Sequence, residues 1–141
     1  IMFKLILFSL FSLVILVQAD YNGVSIPFNI PKVIDASNQC IKETGADPDI
    51  LERFTKFDIN RDSETDRNYA YCTLNKAGYA DKNGKLIADK TRHLANGHEQ
   101  TEELVAVVNK CNSEVTGTDP TYVMVDNISC FHKYSPIYHT T

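Results

Sequence analysis

The sequence predicts an all-α fold of about six amphipathic helices stapled by disulfides. Three observations carry that prediction. After residue 30, apolar residues recur every three to four positions through nearly the whole chain. All four cysteines, Cys40, Cys72, Cys111 and Cys130, fall in the same stretch, an even number as a disulfide framework requires. Strict apolar–polar alternation, the mark of a half-buried strand, is almost absent.

The beginning of the chain predicts its compartment. Lys4 precedes an apolar run from Leu5 to Val17, broken only by Ser9 and Ser12, and Val17-Gln18-Ala19 offers a small-x-small exit. This is the pattern of a secretory signal peptide, and the run is shorter than the about 20 apolar residues of a membrane span. The expectation is a leader over residues 1–19 and a single domain over 20–141, secreted and extracellular, with no membrane insertion. Removing the leader takes away Lys4 and no acidic residue, so the formal charge moves from −4 to −5. That balance argues against nucleic acid or an anionic membrane surface as partner. In an oxidising compartment the cysteines read as disulfides, and four of them allow three pairings.

The helices follow in order. Ile30, Val33, Ile34 and Ile41, with Ser37, share one face of the first, which Pro31 opens and Gly45 closes. Asp47 and Pro48 read as cap and first position of a second helix carrying Ile50, Leu51, Phe54 and Phe57. Ser63 caps a third, with Asp66 where a capping box prefers Glu; it carries Tyr69, Cys72, Leu74 and Ala77 and ends near Gly78. Asp81-Lys82-Asn83-Gly84 is a turn. A short fourth helix covers about Ile87 to Leu94. Glu99, Glu102 and Glu103 suit the positive end of a fifth and Lys110 its other end, with Leu104, Val107, Val108 and Cys111 as the apolar stripe. Pro120 opens a sixth, striped by Met124, Ile128 and Phe131, and a tail runs from Ser135 to Thr141.

The spacing Cys40-x31-Cys72-x38-Cys111-x18-Cys130 resembles the insect odorant-binding protein family (the pheromone and general odorant-binding proteins) with its second and fifth cysteines missing. Asn68 and Thr121 stand at those two positions, which places the chain beside the four-cysteine, minus-C subgroup. Cys40-Ile-Lys-Glu-Thr-Gly45, Asp81-Lys-Asn-Gly84-Lys-Leu-Ile87, Glu103-Leu-Val-Ala-Val-Val-Asn-Lys-Cys111 and Cys130-Phe-His132 are similar to the family's segments at the same places. The resemblance implies pairing of Cys40 with Cys72 and of Cys111 with Cys130. Each bridge would stabilise the fold by roughly 3–4 kcal/mol on the chain-entropy model. The lost third bridge would have tied the third helix to the start of the sixth, and its absence is expected to leave that junction freer to open.

No enzymatic signature is present: no nucleophile elbow, no His-Glu-x-x-His, no phosphate-cradling glycine loop. His93, His98, His132 and His139 are scattered and read as solvent-facing, so no metal and no cofactor is expected. Asp58, Asn60 and Asp62 begin like an EF-hand, but Ser63 stands where Gly is needed and Tyr69 where Glu is needed. Asn127-Ile128-Ser129 is a glycosylation sequon inside a helix, expected to be mostly unmodified.

Function therefore rests on binding. The resemblance implies an apolar pocket among the helices and a secreted carrier of small apolar or volatile molecules such as odorants, pheromones or similar lipophiles. The candidate lining is Ile34, Phe54, Phe57, Leu74, Leu94, Val107, Val108, Met124, Ile128 and Phe131, with Ile137 and Tyr138 of the tail over the mouth. Tyr69, Tyr122, Tyr134 or Tyr138 would offer a hydroxyl to an alcohol, ester or carbonyl. His132 beside the tail suggests a pH-sensitive lid. The partners expected are a small hydrophobic ligand and, indirectly, a membrane receptor, with the protein a monomer or weak homodimer. The alternative is a secreted helical signalling or interaction protein acting through its surface.

Overall fold

The computed structural model describes residues 31–94 and 99–136. Six helices cover most of them: α1 Pro31–Thr44, α2 Ile50–Thr55, α3 Glu64–Lys76, α4 Ala88–Leu94, α5 Thr101–Glu114 and α6 Pro120–Tyr134. Among the described residues the only extended pairing is an isolated bridge between Ala80 and Leu86. None of these helices is long and apolar enough to cross a membrane.

Local chemistry sets most of the ends. Gly45, at φ +72°, donates its N–H to the Ile41 carbonyl and closes α1. Helix α2 begins at Ile50, two residues later than Asp47-Pro48 suggests. The Asp47 carbonyl accepts from the Ile50 N–H at 3.0 Å, so those residues form a turn ahead of the helix, and Asp49 occupies the cap without a side-chain bond. Ser63 caps α3 by accepting from the Asp66 N–H at 3.2 Å. Asp66 does not complete the box: the Ser63 N–H is already given to the Asn60 carbonyl, and the Asp66 carboxylate turns to α2. Asp119 caps α6 through the Thr121 N–H at 2.9 Å, with Pro120 in the first turn. Helix α5 runs on to Glu114, so Lys110 sits short of its end. Its ammonium instead lies 3.7 Å from the centre of the Tyr134 ring.

Helix α3 lies between α1 and α6, and α5 packs on both α4 and α6. The main core gathers Ile50 and Phe54 of α2, Tyr69, Ala70 and Leu74 of α3, and Met124, Val125 and Ile128 of α6. The disulfides are Cys40–Cys72, joining α1 to α3, and Cys111–Cys130, joining α5 to α6. This is the pairing that the family resemblance implies.

The turn after α3 is pinned from several sides. Asp81 Oδ1 accepts from the N–H groups of Asn83 and Lys85 at 2.8 and 3.0 Å. Asn112 of α5 clamps Leu86 as a strand would, accepting from its N–H at 3.1 Å and donating to its carbonyl at 2.7 Å. Fully buried Asn127 of α6 donates to the Gly84 carbonyl at 3.4 Å. Gly84 is at φ +78°, and a Cβ there would run into the Pro120 carbonyl oxygen and come within 3.0 Å of the Met124 nitrogen. Only glycine satisfies both the dihedral and the approach. Gly84→Ala is expected to destabilise the fold by roughly 3 kcal/mol or more, read as a lower urea midpoint; an unchanged midpoint would show that α6 moves aside without cost.

Candidate functional site

The interior between α1, α2, α3 and α6 is where the predicted binding residues converge. Phe54, Leu74, Met124 and Ile128 all belong to the main core, and Phe57 packs against it. The ring of Phe54 meets that of Tyr69 edge to face at a centroid distance of 5.8 Å. Val108 is fully buried, while Ile34, Val107 and Phe131 are half-buried and stand outside this cluster. On α1 the buried face is Val33, Ala36, Ser37 and Cys40, which sets Ile34 to one side. The side chain of Leu94, His98, and the tail positions Ile137, Tyr138 and His139 lie outside the described residues, as does the leader over residues 1–19.

Phe57 sits at φ +58°. Its N–H goes to the Phe54 carbonyl and the Asp58 N–H to the Arg53 carbonyl, the helix-ending arrangement whose left-handed position usually takes glycine. A phenylalanine there costs about 1 kcal/mol of backbone strain. Its ring stacks on the His132 imidazole at 4.4 Å with an interplanar angle of 9°. The tail that a pH-sensitive lid at His132 would involve lies outside the described residues.

The four tyrosines proposed as hydroxyl donors have different surroundings. Tyr122 lies beneath two guanidinium groups and Tyr134 beneath Lys110 and Lys133. Tyr138 is outside the described residues. Tyr69 is fully buried in the core, and its hydroxyl shares a 2.6 Å hydrogen bond with Ser37 of α1. Burial pushes the Tyr69 hydroxyl pKa up, with the Ser37 and Thr73 hydroxyls pulling back, so it remains protonated at neutral pH. Thr73 Oγ1, one turn further along α3, is buried with no partner at hydrogen-bonding geometry. Its influence on Tyr69 is thus one of proximity. An unmet buried hydroxyl costs on the order of 1–3 kcal/mol. The sequence signal for Thr73 is its spacing of four from Tyr69, on the same face of α3.

Asp66 organises the approach from α2 to α3. Its carboxylate accepts from Arg53 Nη1 and Nη2 at 2.8 and 3.2 Å and from the Asn60 N–H at 3.0 Å. The Arg53 guanidinium holds the Asp66 carboxyl below its usual range, against the opposing effect of burial.

Asn68 and Thr121, where the family resemblance places the missing third bridge, are flanked by the residues that join α3 to α6. The Arg67 guanidinium lies 3.9 Å from the Tyr122 ring centre, and that of Arg61 lies 4.8 Å from it. Arg67 also donates to the Arg61 carbonyl at 2.8 Å, and Arg61 pairs with Asp126 at 2.7 and 3.1 Å. The junction expected to be loose is clasped by charge and an aromatic face. Asn127, the sequon asparagine, is fully buried, with Nδ2 also donating to the Val123 carbonyl at 3.1 Å. A glycan there is incompatible with this packing.

The PBP/GOBP family model matches residues 29–134. Among solved structures the chain is similar to the odorant-binding protein dmelOBP28a from Drosophila melanogaster, with a TM-score of 0.63 and 18% identity over 73% of this chain and 88% of that one. No curated protein matches.

Two outcomes follow from these contacts. Tyr122→Ala is expected to cost about 1–2 kcal/mol through lost cation–π contact, measured by thermal melting; an unchanged melting temperature would remove the clasp's role. Asp66 has a depressed folded-state pKa, so its contribution is present above the unfolded value of about 3.9 and fades as pH falls through the lower folded value. Asp66→Asn should destabilise the protein at pH 7 and flatten the acid limb of its stability curve. Parallel curves for parent and variant below pH 5 would contradict this.

Proposed function

The chain belongs to the PBP/GOBP family, and from that premise we propose that it is a non-enzymatic carrier of small apolar molecules. The observation that carries this reading is the cluster formed by Phe54, Leu74, Met124 and Ile128 with Phe57 against it, aromatic and aliphatic side chains from three helices around buried hydroxyls. Such a lining offers apolar contact over most of a ligand and a few polar groups to orient it. Each Å² of ligand surface removed from water contributes about 25 cal/mol before association costs. The thioether of Met124 is the adaptable wall of this interior, able to fill the gaps left by ligands of different shape.

In this reading the protein is secreted after loss of residues 1–19. It acts as a monomer or weak homodimer, takes an odorant, pheromone or similar lipophile through aqueous fluid, and reaches a receptor only by delivering that ligand. The similarity to a Drosophila odorant-binding protein supports the ligand class. The two disulfides suit an extracellular protein. A fluorescent apolar probe titrated into the purified protein should show saturable binding at about one site per chain, and volatile organic compounds should displace it. Uptake that rises without saturation, or that no volatile reverses, would sink the carrier reading.

A further inference from the structure

Asn83-Gly84 lies in the turn after α3. Asparagine is among the chemically labile residues, and a glycine after it puts no Cβ in the way of attack by the backbone on the side chain. The reaction needs no partner but water. The Gly84 nitrogen gives up its proton and bonds to the Asn83 Cγ, and the side-chain nitrogen leaves as ammonia. Water then opens the cyclic imide at either carbonyl. One opening leaves aspartate. The other leaves a β-linked aspartate, whose main chain runs through Cβ and Cγ and is longer by one methylene.

The fold leaves one reactant free and locks the other. The Asn83 side chain is exposed, and among the described residues its amide has no hydrogen-bond partner. The Gly84 N–H is given to the Asp81 carbonyl at 3.1 Å, so the attacking nitrogen is held by its proton to another acceptor. The Gly84 carbonyl accepts from buried Asn127 of α6, and the Gly84 Cα is set against the Pro120 carbonyl with no room for a side chain. The Asn83 N–H is tied to Asp81 Oδ1 at 2.8 Å, and the Lys82 carbonyl accepts from the Tyr71 hydroxyl at 3.1 Å. A turn anchored on both sides of the reacting pair cannot swing Gly84 toward Cγ without breaking several of these bonds.

We propose that Asn83 is a site of spontaneous deamidation and β-linkage that the turn holds closed and that reacts when the turn releases Gly84. The product does not fit the turn that made it. The extra methylene displaces Gly84 from the Asp81 and Asn127 bonds, and the new carboxylate stands beside that of Asp81, where like charges repel. The turn ties α3 to α6, so a chain that has opened once and reacted closes more weakly afterwards.

The test incubates the whole protein at mildly alkaline pH and maps its peptides by mass, where conversion reads as a one-dalton gain at Asn83 and chromatography separates the two products. The map resolves Asn83 from the Asn22-Gly23 and Asn96-Gly97 pairs, which lie outside the described residues. The folded parent should convert more slowly than the same chain unfolded in urea by about tenfold or more, since freeing Gly84 breaks at least two hydrogen bonds worth about fivefold each. Asp81→Ala removes the side-chain acceptor of the turn and should speed conversion of the folded chain by about fivefold. Where that variant does not fold, Tyr71→Phe keeps the ring, frees the Lys82 carbonyl and should speed conversion in the same direction. Asn83→Gln should stay unconverted and keep its melting temperature through the incubation, while the modified fraction of the parent melts lower. An unfolded chain that does not convert overturns the site. Equal rates in folded and unfolded parent, or in the parent and the folded turn variant, overturn the protection. A modified fraction that melts with the unmodified protein overturns the link to α6.

Discussion

The Cys40–Cys72 bridge is the constraint on which the interior depends. It fixes α1 against α3 with both half-cystines well inside the helices, and Cys40 is fully buried. Three residues before each of these cysteines stand Ser37 and Tyr69, so the hydroxyl pair repeats the register of the disulfide one turn away. Glu43 and Lys76 extend the same contact outward with a 3.0 Å ion pair. A side chain as polar as Ser37 sits on the buried face of α1 because its partner is placed opposite it. Without the bridge, the two hydroxyls would be free to part and each would be left to bury alone.

The second bridge fixes α5 to α6 and shares no helix with the first. Four of the six helices therefore form two covalently stapled pairs that meet along a noncovalent seam between α3 and α6. Apolar packing of Ala70 and Leu74 against Met124, Val125 and Ile128 fills the seam. Arg67 over Tyr122 closes one part of it, and the Asn127 bond to Gly84 ties the turn after α3 to α6. Net attraction along the seam comes mainly from apolar area, while the polar contacts fix how the two pairs lie.

Much of this was legible from residue types and spacing. The stripes place six helices in order, and the cap at Ser63 does what short oxygen-bearing side chains do at helix starts; the Asp119 cap of α6 is an addition of the structure. Side-chain types place the start of α2 two residues early because its first turn is made by a backbone carbonyl, which leaves no mark in side-chain type. Lys110 reads as a helix-end charge in the sequence because the continuation of α5 to Glu114 is polar and carries no apolar repeat past Cys111. The core members Phe54, Leu74, Met124 and Ile128 were found by periodicity. The direction in which α1 turns, burying Val33 and Ser37 ahead of Ile34, depends on what it faces. The cysteine pairing needed the family, since spacing alone allowed three answers. The clasp of Arg61 and Arg67 on Tyr122 joins residues more than fifty positions apart, and no local pattern announces such a pair.

That clasp also bears on how such a chain can change over generations. A disulfide is gained or lost as a pair, since one cysteine alone leaves a reactive thiol in an oxidising fluid. An arginine laid on a tyrosine has no such threshold. Each of Arg61, Arg67, Tyr122 and Asp126 can be altered singly, and each change shifts the strength of the seam by a fraction. A lineage that gives up the third bridge at Asn68 and Thr121 exchanges a fixed joint for one adjustable in small steps.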